Sequence, residues 1–358
     1  MTNSILKALR EGLAKAECDA FCSIAPPTNQ YLAGFKGTTS AVIITKTHAV
    51  FLCDFRYTEQ ASQQVKGYEI HEVAGSLPAR VGEWLDKLGV KTAAFEPGYL
   101  TVADFESIQK NFEGALKPVS AIVSDLRQIK SPDEIERIRA ASALAEGVLA
   151  DLTAALDAGV TERDLAAEFE YEFKRRGASG ASFDTIALFG PRSSLPHGAP
   201  GDTPLARGDI VLLDFGCRLD GYCSDLTRTF AFGTIPSPWF DEVYELTLTA
   251  QTIALEAIRP GKTGREVDAV ARDLIAEAGF GPNFGHGLGH GVGIEIHEGP
   301  RLNKESDTVL VEGMVITVEP GIYVPGKGGV RIEDLVVVTK DGCELLSAAP
   351  KELKVLGR

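Results

Sequence analysis

The sequence predicts an α/β domain over residues 1–128 followed by a larger α+β domain over residues 129–358. Three observations carry that expectation. The chain has 358 residues, long for a single hydrophobic core, so two domains are the natural division. Up to about residue 125, short β-rich runs alternate with amphipathic helical stretches. Beyond it, two long helical patterns precede a strand-rich region and the same order then repeats, which suggests two similar halves, although no sequence repeat is detectable.

The first seventeen residues, MTNSILKALREGLAKAE, mix charges with apolar residues at helical spacing. Strand-like runs follow near 21–24, 41–45, 50–53 and 92–95, with an amphipathic helix over 77–88 between them. Nothing in this domain gathers catalytic residue types. The boundary falls near residue 128, just before Ser131-Pro132-Asp133-Glu134. That segment offers a serine N-cap, proline at the first helical position and glutamate at the third, a strong helix start. Helices are expected over 132–157, 161–177, 238–258 and 263–278, with strand-rich segments after each pair.

Composition narrows the function. Acidic residues outnumber basic ones by 50 to 36, a formal charge of -14, which opposes binding to nucleic acid or to an anionic membrane surface. The start has no signal-peptide pattern, and no later stretch approaches the ~20 apolar residues of a membrane span. Six scattered cysteines form no C-x-x-C and read as reduced thiols, so the cytoplasm is the expected compartment.

The chemistry collects in the second domain. Four of the six histidines, His197, His286, His290 and His297, stand there among glycines, prolines and acids, whereas His48 and His71 read as surface or satisfied residues. Asp220-Gly221 is a two-residue hairpin signal. With that loop, Gly216 faces Asp225, and Asp214 becomes a diagonal neighbour of Asp225 on the same face, roughly 7–8 Å apart at the backbone. Two unrelated hairpin aspartates facing solvent are the alternative, and this segment alone leaves the two readings even. In Gly285–Gly293, five glycines in nine residues exclude a stable helix around His286 and His290. A nucleotide-binding loop fails because no helix follows. Glu319 ends a β-branched strand before Pro320-Gly321. Glu333 is expected inside another strand, on the same face as Arg331, where a simple Arg331–Glu333 ion pair is the plain alternative. Together, two Asp, two Glu and one His make an oxygen-dominated ligand set whose four negative charges match two divalent ions. Such a set favours manganese or cobalt, with zinc and iron next.

Asp214-Phe-Gly with Ser224-Asp225, His286-Gly-Leu-Gly-His290-Gly, Glu319-Pro-Gly-Ile-Tyr323 and Arg331-Ile-Glu333-Asp334 resemble the signature segments of the pita-bread metallopeptidases. That family includes aminopeptidase P, prolidase and methionine aminopeptidase. The first domain, through Gly34-Phe-Lys-Gly37 and Asp54-Phe-Arg56-Tyr57, resembles the creatinase-type N-terminal domain of its proline-specific members. The resemblance implies Asp214, Asp225, His290, Glu319 and Glu333 as ligands of two divalent metal ions, manganese first. Asp225 and His290 would serve mainly one ion, Asp214 mainly the other, with Asp214 or Glu333 partly bridging. It implies catalytic roles for His197, His297 and Glu319, and substrate contacts or support from His286, Arg301, Tyr323 and Arg331. The implied substrates are small peptides with proline at the second position, and relatives are often homodimers. His286 and the N-terminal domain favour the proline-specific branch over methionine aminopeptidase. A metal-free binding module or a creatinase-like enzyme is the remaining alternative, disfavoured because all five ligand positions are filled.

Overall fold

The computed structural model describes residues 2–357 and divides into two compact units, 1–127 and 128–358. In the first unit the described residues form β1 (Ala20–Ser23), β2 (Ser40–Thr45), β3 (Ala49–Cys53), β4 (Glu69–Glu72), β5 (Thr92–Phe95) and β6 (Ala115–Pro118). They make one mixed sheet in the order β4-β3-β2-β1-β5-β6. Helices α1 (Thr2–Lys15), α2 (Pro26–Ala33), α3 (Thr58–Gln64), α4 (Leu77–Lys87), α5 (Val102–Lys110) and α6 (Ala121–Gln128) cover its faces. The two-residue period of a strand explains the layering. Val42 and Ile44 pack with Leu6, Leu9 and Leu32, whereas Ala41 and Ile43 pack on the other face with Val81, Leu85 and Ile108. The four strand runs and two helices expected here are present; α2, α3, α5 and α6 and strands β4 and β6 are additions.

The second unit opens with α7 (Pro132–Ala154) and α8 (Glu162–Arg175), followed by β7 (Gly180–Ala181), β8 (Ile186–Phe189), β9 (Ile210–Phe215), β10 (Cys217–Leu219), β11 (Tyr222–Cys223) and β12 (Leu226–Phe232). Next come α9 (Pro238–Ala257) and α10 (Gly264–Glu277), then β13 (Gly289–Gly291), β14 (Glu298–Leu302), β15 (Val315–Val318), β16 (Gly321–Val324), β17 (Gly328–Arg331), β18 (Asp334–Val338), β19 (Cys343–Leu345) and β20 (Val355–Leu356). Helices-then-strands does occur twice. Phe169 and Phe173 of α8 pack with Val211, Leu213 and Phe215 of β9, while Val243 of α9 and Ala271 of α10 pack with Ile316 and Val336 of the sheet β14-β13-β15-β18-β19. Because Leu213 and Phe215 face the α7–α8 core, alternation sends Asp214 to the opposite face of its sheet.

Helix α7 starts as its sequence demands. The Ser131 hydroxyl accepts from the Glu134 N–H, the Glu134 carboxylate accepts from the Ser131 N–H at 2.9 Å, and proline occupies the first turn. The second Glu134 oxygen accepts from the Tyr222 hydroxyl at 3.0 Å, tying the helix start to the β10–β11 hairpin. Ser131→Ala is therefore expected to cost about 1 kcal/mol, read as a lower thermal midpoint. Ser131→Gly should recover most of it, because glycine is tolerated at an N-cap.

One expectation is corrected. Glu333 does not sit inside a strand. Ile332 and Glu333 form the break between β17, paired with β16, and β18, paired with β15. The apolar run 330–338 reads as one strand, but the chain changes sheets in its middle.

Candidate metal centre

The hairpin lays the first half of the site. Asp220 and Gly221 both have positive φ, 53° and 86°, as a two-residue loop of this hand requires. Arg218 pairs with Cys223 and Leu219 with Tyr222, and the same register continues to Phe215–Leu226 and Asp214–Thr227. Asp214 and Asp225 therefore meet: one oxygen from each of Asp214, Asp225 and Glu333 lies within 4.8 Å of the others. The second half comes from the distal sheet. His290 Nε2 lies 3.5 Å from Asp225 Oδ2 and 3.4 Å from Glu319 Oε1. The glycines around His290 make that approach feasible, since a Cβ at Gly289 would stand 2.0 Å from the Thr317 carbonyl oxygen.

Five candidate donors thus converge on one buried spot. Burial, followed by the charges of Glu333, Asp214 and Glu319, pushes Asp225 well above the usual carboxylate range. Glu333 moves the same way, by burial and then by Glu319 and Asp214. Glu319 is pushed up to about 8, chiefly by burial, and the His290 imidazole is driven down to about 3 by burial. Asp214 Oδ1 is buried without a hydrogen-bond partner. A group of acids crowded this way, with one oxygen left orphaned, is costly unless a cation neutralises it. The donor set fits divalent metal: carboxylate oxygens with one neutral imidazole, which presents a free lone pair. The His290 Nδ1 lies 3.1 Å from the Gly291 carbonyl, the backbone acceptor that turns Nε2 inward as a ligand.

A second layer fixes these groups. The Thr227 hydroxyl donates to Glu333 Oε2 at 2.7 Å and accepts from Arg331 Nε at 3.0 Å. The Thr317 hydroxyl donates to Glu319 at 3.1 Å and accepts from the His290 N–H at 3.0 Å. Arg331 does not pair with Glu333. Its Nη2 binds Asp214 Oδ2 and its Nη1 donates to the Tyr323 hydroxyl at 2.7 Å. Burial opposes the charge on Arg331, and Tyr323, Asp214 and Glu319 more than offset that. Since Tyr323 accepts from Arg331, its own proton goes to His286 Nε2 at 2.9 Å, leaving His286 Nδ1–H for the Gly287 carbonyl at 2.8 Å. The imidazole is neutral in that arrangement, in keeping with burial pulling it down to about 4.

These donors open into a cleft of about 940 Å³. His197, His286, His297, Arg301 and Arg331 line it, with Phe183, Ile186 and Ile296 as apolar wall. His297 stacks edge-on against His290, centroids 4.5 Å apart; burial and then Arg301 lower its basicity. Tyr323 stands behind the wall as a support. Sequence reasoning missed Thr227 and Thr317, which look like ordinary residues of β-branched strands; extending the hairpin register two pairs beyond Gly216–Asp225 sets Thr227 opposite Asp214.

Residues 136–340 match the model of metallopeptidase family M24, and residues 5–129 match the creatinase/prolidase N-terminal domain. The chain is 37% identical to an Xaa-Pro dipeptidase of Pyrococcus horikoshii over 98% of this chain and 99% of that one. It superposes on a Bacillus anthracis Xaa-Pro dipeptidase with TM-score 0.96 at 42% identity, covering 99% and 100% of the two chains. An X-Pro aminopeptidase from Thermotoga maritima gives 0.89 at 38% identity, covering 95% and 98%. With both segments accounted for along nearly its whole length, the chain belongs to metallopeptidase family M24, a creatinase/prolidase N-terminal domain preceding a pita-bread catalytic domain.

Proposed function

We propose that this metallopeptidase hydrolyses the bond between an N-terminal residue and proline, with Xaa-Pro dipeptides as its substrates. Asp214, Asp225, His290, Glu319 and Glu333 would hold two divalent ions, manganese ahead of cobalt, zinc and iron. When bound, such ions activate a water near neutral pH and polarise the scissile carbonyl. The protein's own groups do the rest. Glu319, whose Oε1 lies 3.4 Å from His290 Nε2, takes the proton of the attacking water and passes it to the departing prolyl nitrogen. His197 and His297, on the cleft wall, donate to the carbonyl oxygen as it gains charge. Arg331, through Asp214, and Tyr323, through His286, hold the floor of the cleft rigid. A dedicated pocket is needed because the prolyl nitrogen carries no N–H and the ring fixes the backbone.

The observation that favours dipeptides is Arg301. It is exposed on the cleft wall, opposite His290 in the β13–β14 register, and no carboxylate pairs with it among the described residues. An unneutralised guanidinium there suits the free carboxylate of a C-terminal proline. The test compares Ala-Pro with Ala-Pro-Ala in manganese. The dipeptide is expected to be cleaved at least about tenfold faster, and Arg301→Ala should raise its KM by roughly tenfold, the worth of one charge-assisted contact. Preference for the tripeptide would instead indicate an aminopeptidase P. Cleavage of N-terminal methionine alone, or purified protein without stoichiometric metal, would overturn the assignment. The same reading carries a cytoplasmic homodimer; the six free cysteines support a reducing compartment, and light scattering tests the dimer.

A further inference from the structure

The His197 ring is exposed in the cleft and makes no hydrogen bond to any described residue. Its position is therefore set by its backbone alone, unlike His286, which Tyr323 and Gly287 hold through the ring. That backbone is fastened at both ends by one side chain. Glu162, fully buried, accepts from the Phe189 N–H at 2.9 Å and from the Gly201 N–H at 2.8 Å. Between those anchors, Arg192 Nε meets both Glu162 oxygens at 3.0 and 2.9 Å, and Arg192 Nη2 donates to the Ala199 carbonyl at 2.7 Å. Ser193 adds a stitch, accepting from the Gly329 N–H at 2.8 Å.

Helix capping does not explain Glu162. It is the first residue of α8, but Thr161 and Asp164 already complete a capping box there. Its carboxylate turns instead to the segment carrying His197. A buried charge so fully engaged holds its partners rigidly, because any displacement leaves it unpaired.

We propose that Glu162 and Arg192 form a clasp that sets the position of His197 relative to substrate. They are positioning residues, since neither is argued to touch the reacting atoms. The proposal rests on the Xaa-Pro hydrolase reading above and deepens it.

A double-mutant cycle tests it. Glu162→Gln keeps an acceptor but loses the charge, and it is expected to lower kcat/KM for Ala-Pro about tenfold, as loss of precise orientation does. In a His197→Ala background the same change should cost less than about twofold, because the residue it positions is gone. Metal bound per chain should be unchanged in every variant. Arg192→Lys, which keeps the charge but lacks the planar fork, should show the same pattern and guards against misfolding of the first variant. Equal losses in both backgrounds, loss of metal, or His197→Ala as active as wild type would each overturn the clasp. Wild-type turnover separates the two claims: none at all sinks the hydrolase assignment and the clasp with it, whereas turnover with additive losses sinks the clasp alone.

Discussion

Asp225→Asn is expected to cripple turnover and yet to raise the melting temperature of the metal-free protein. Metal catalysis supplies several kcal/mol of barrier lowering, so losing a candidate ligand carboxylate should reduce kcat/KM on the order of a thousand-fold. Metal bound per chain should fall with it. Stability moves the other way. Without metal, Asp225 is buried against Glu333, Asp214 and Glu319, and an amide removes one of these like charges. The metal-free variant should melt above metal-free wild type by about 2–4 °C, the shift that ~1 kcal/mol produces in a domain of this size. A pH dependence accompanies it. Glu319 in the folded protein is pushed up to about 8, far above the ~4.3 of an unfolded chain. Between those values the folded state binds more protons than the unfolded one, so this group makes stability fall as pH rises through the window. Bound metal should flatten that fall. A metal-free variant less stable than metal-free wild type at pH 8 would contradict this account of the centre.

Arg228→Met should be the most damaging single change to the fold. The guanidinium is 1% exposed and every direction it can donate is used. It reaches the Thr227 and Glu333 carbonyls, Asp334 Oδ1 at 2.8 Å, and the Ala349 and Pro350 carbonyls at 2.6 and 3.0 Å. Removing it leaves Asp334 short of its main counter-charge and several buried carbonyls unpaired, a loss of about 3–5 kcal/mol. The thermal midpoint should drop on the order of 10 °C. Because Arg228 anchors the backbone of Glu333, metal affinity should fall as well, by roughly 10–100-fold for a group one step behind the ligands. Adding Asp334→Asn should return part of the stability, since a neutral pair lacks the unpaired charge. A single variant within about 1 kcal/mol of wild type would rule out the brace.

Much of the second unit was legible because its signals are local. Asp220-Gly221 dictates a hairpin register that brings Asp214 and Asp225 together, Ser131-Pro132 dictates a helix start, and His290 and Glu319 stand beside a glycine or a proline. Glu333 was misread for the opposite reason. Its flanking residues 330–332 and 335–338 are all strand-formers but for Arg331, and only tertiary pairing with β16 on one side and β15 on the other separates them. In the first unit, α2 escaped notice because its sequence, PPTNQYLA, has little apolar periodicity. It is held instead by burial of Asn29, whose amide donates to the Ser40 carbonyl and hydroxyl at 2.9 Å. The supporting residues Glu162, Arg192 and Arg228 are invisible for a related reason: the oppositely charged partners that fix them lie 30 positions away for the Glu162–Arg192 pair and 106 for Arg228 and Asp334.

The brace at Arg228 bears on when the protein can acquire its ions. Two of the carbonyls that saturate it belong to Ala349 and Pro350, and Glu333 itself is added late in synthesis. A nascent polypeptide still lacking those stretches has its hairpin aspartates, His290 and Glu319, but neither Glu333 nor the anchor that holds it. A complete divalent-metal site is thereby deferred until translation has passed residue 350, so partly made chains on the ribosome should bind such an ion more weakly than the finished protein.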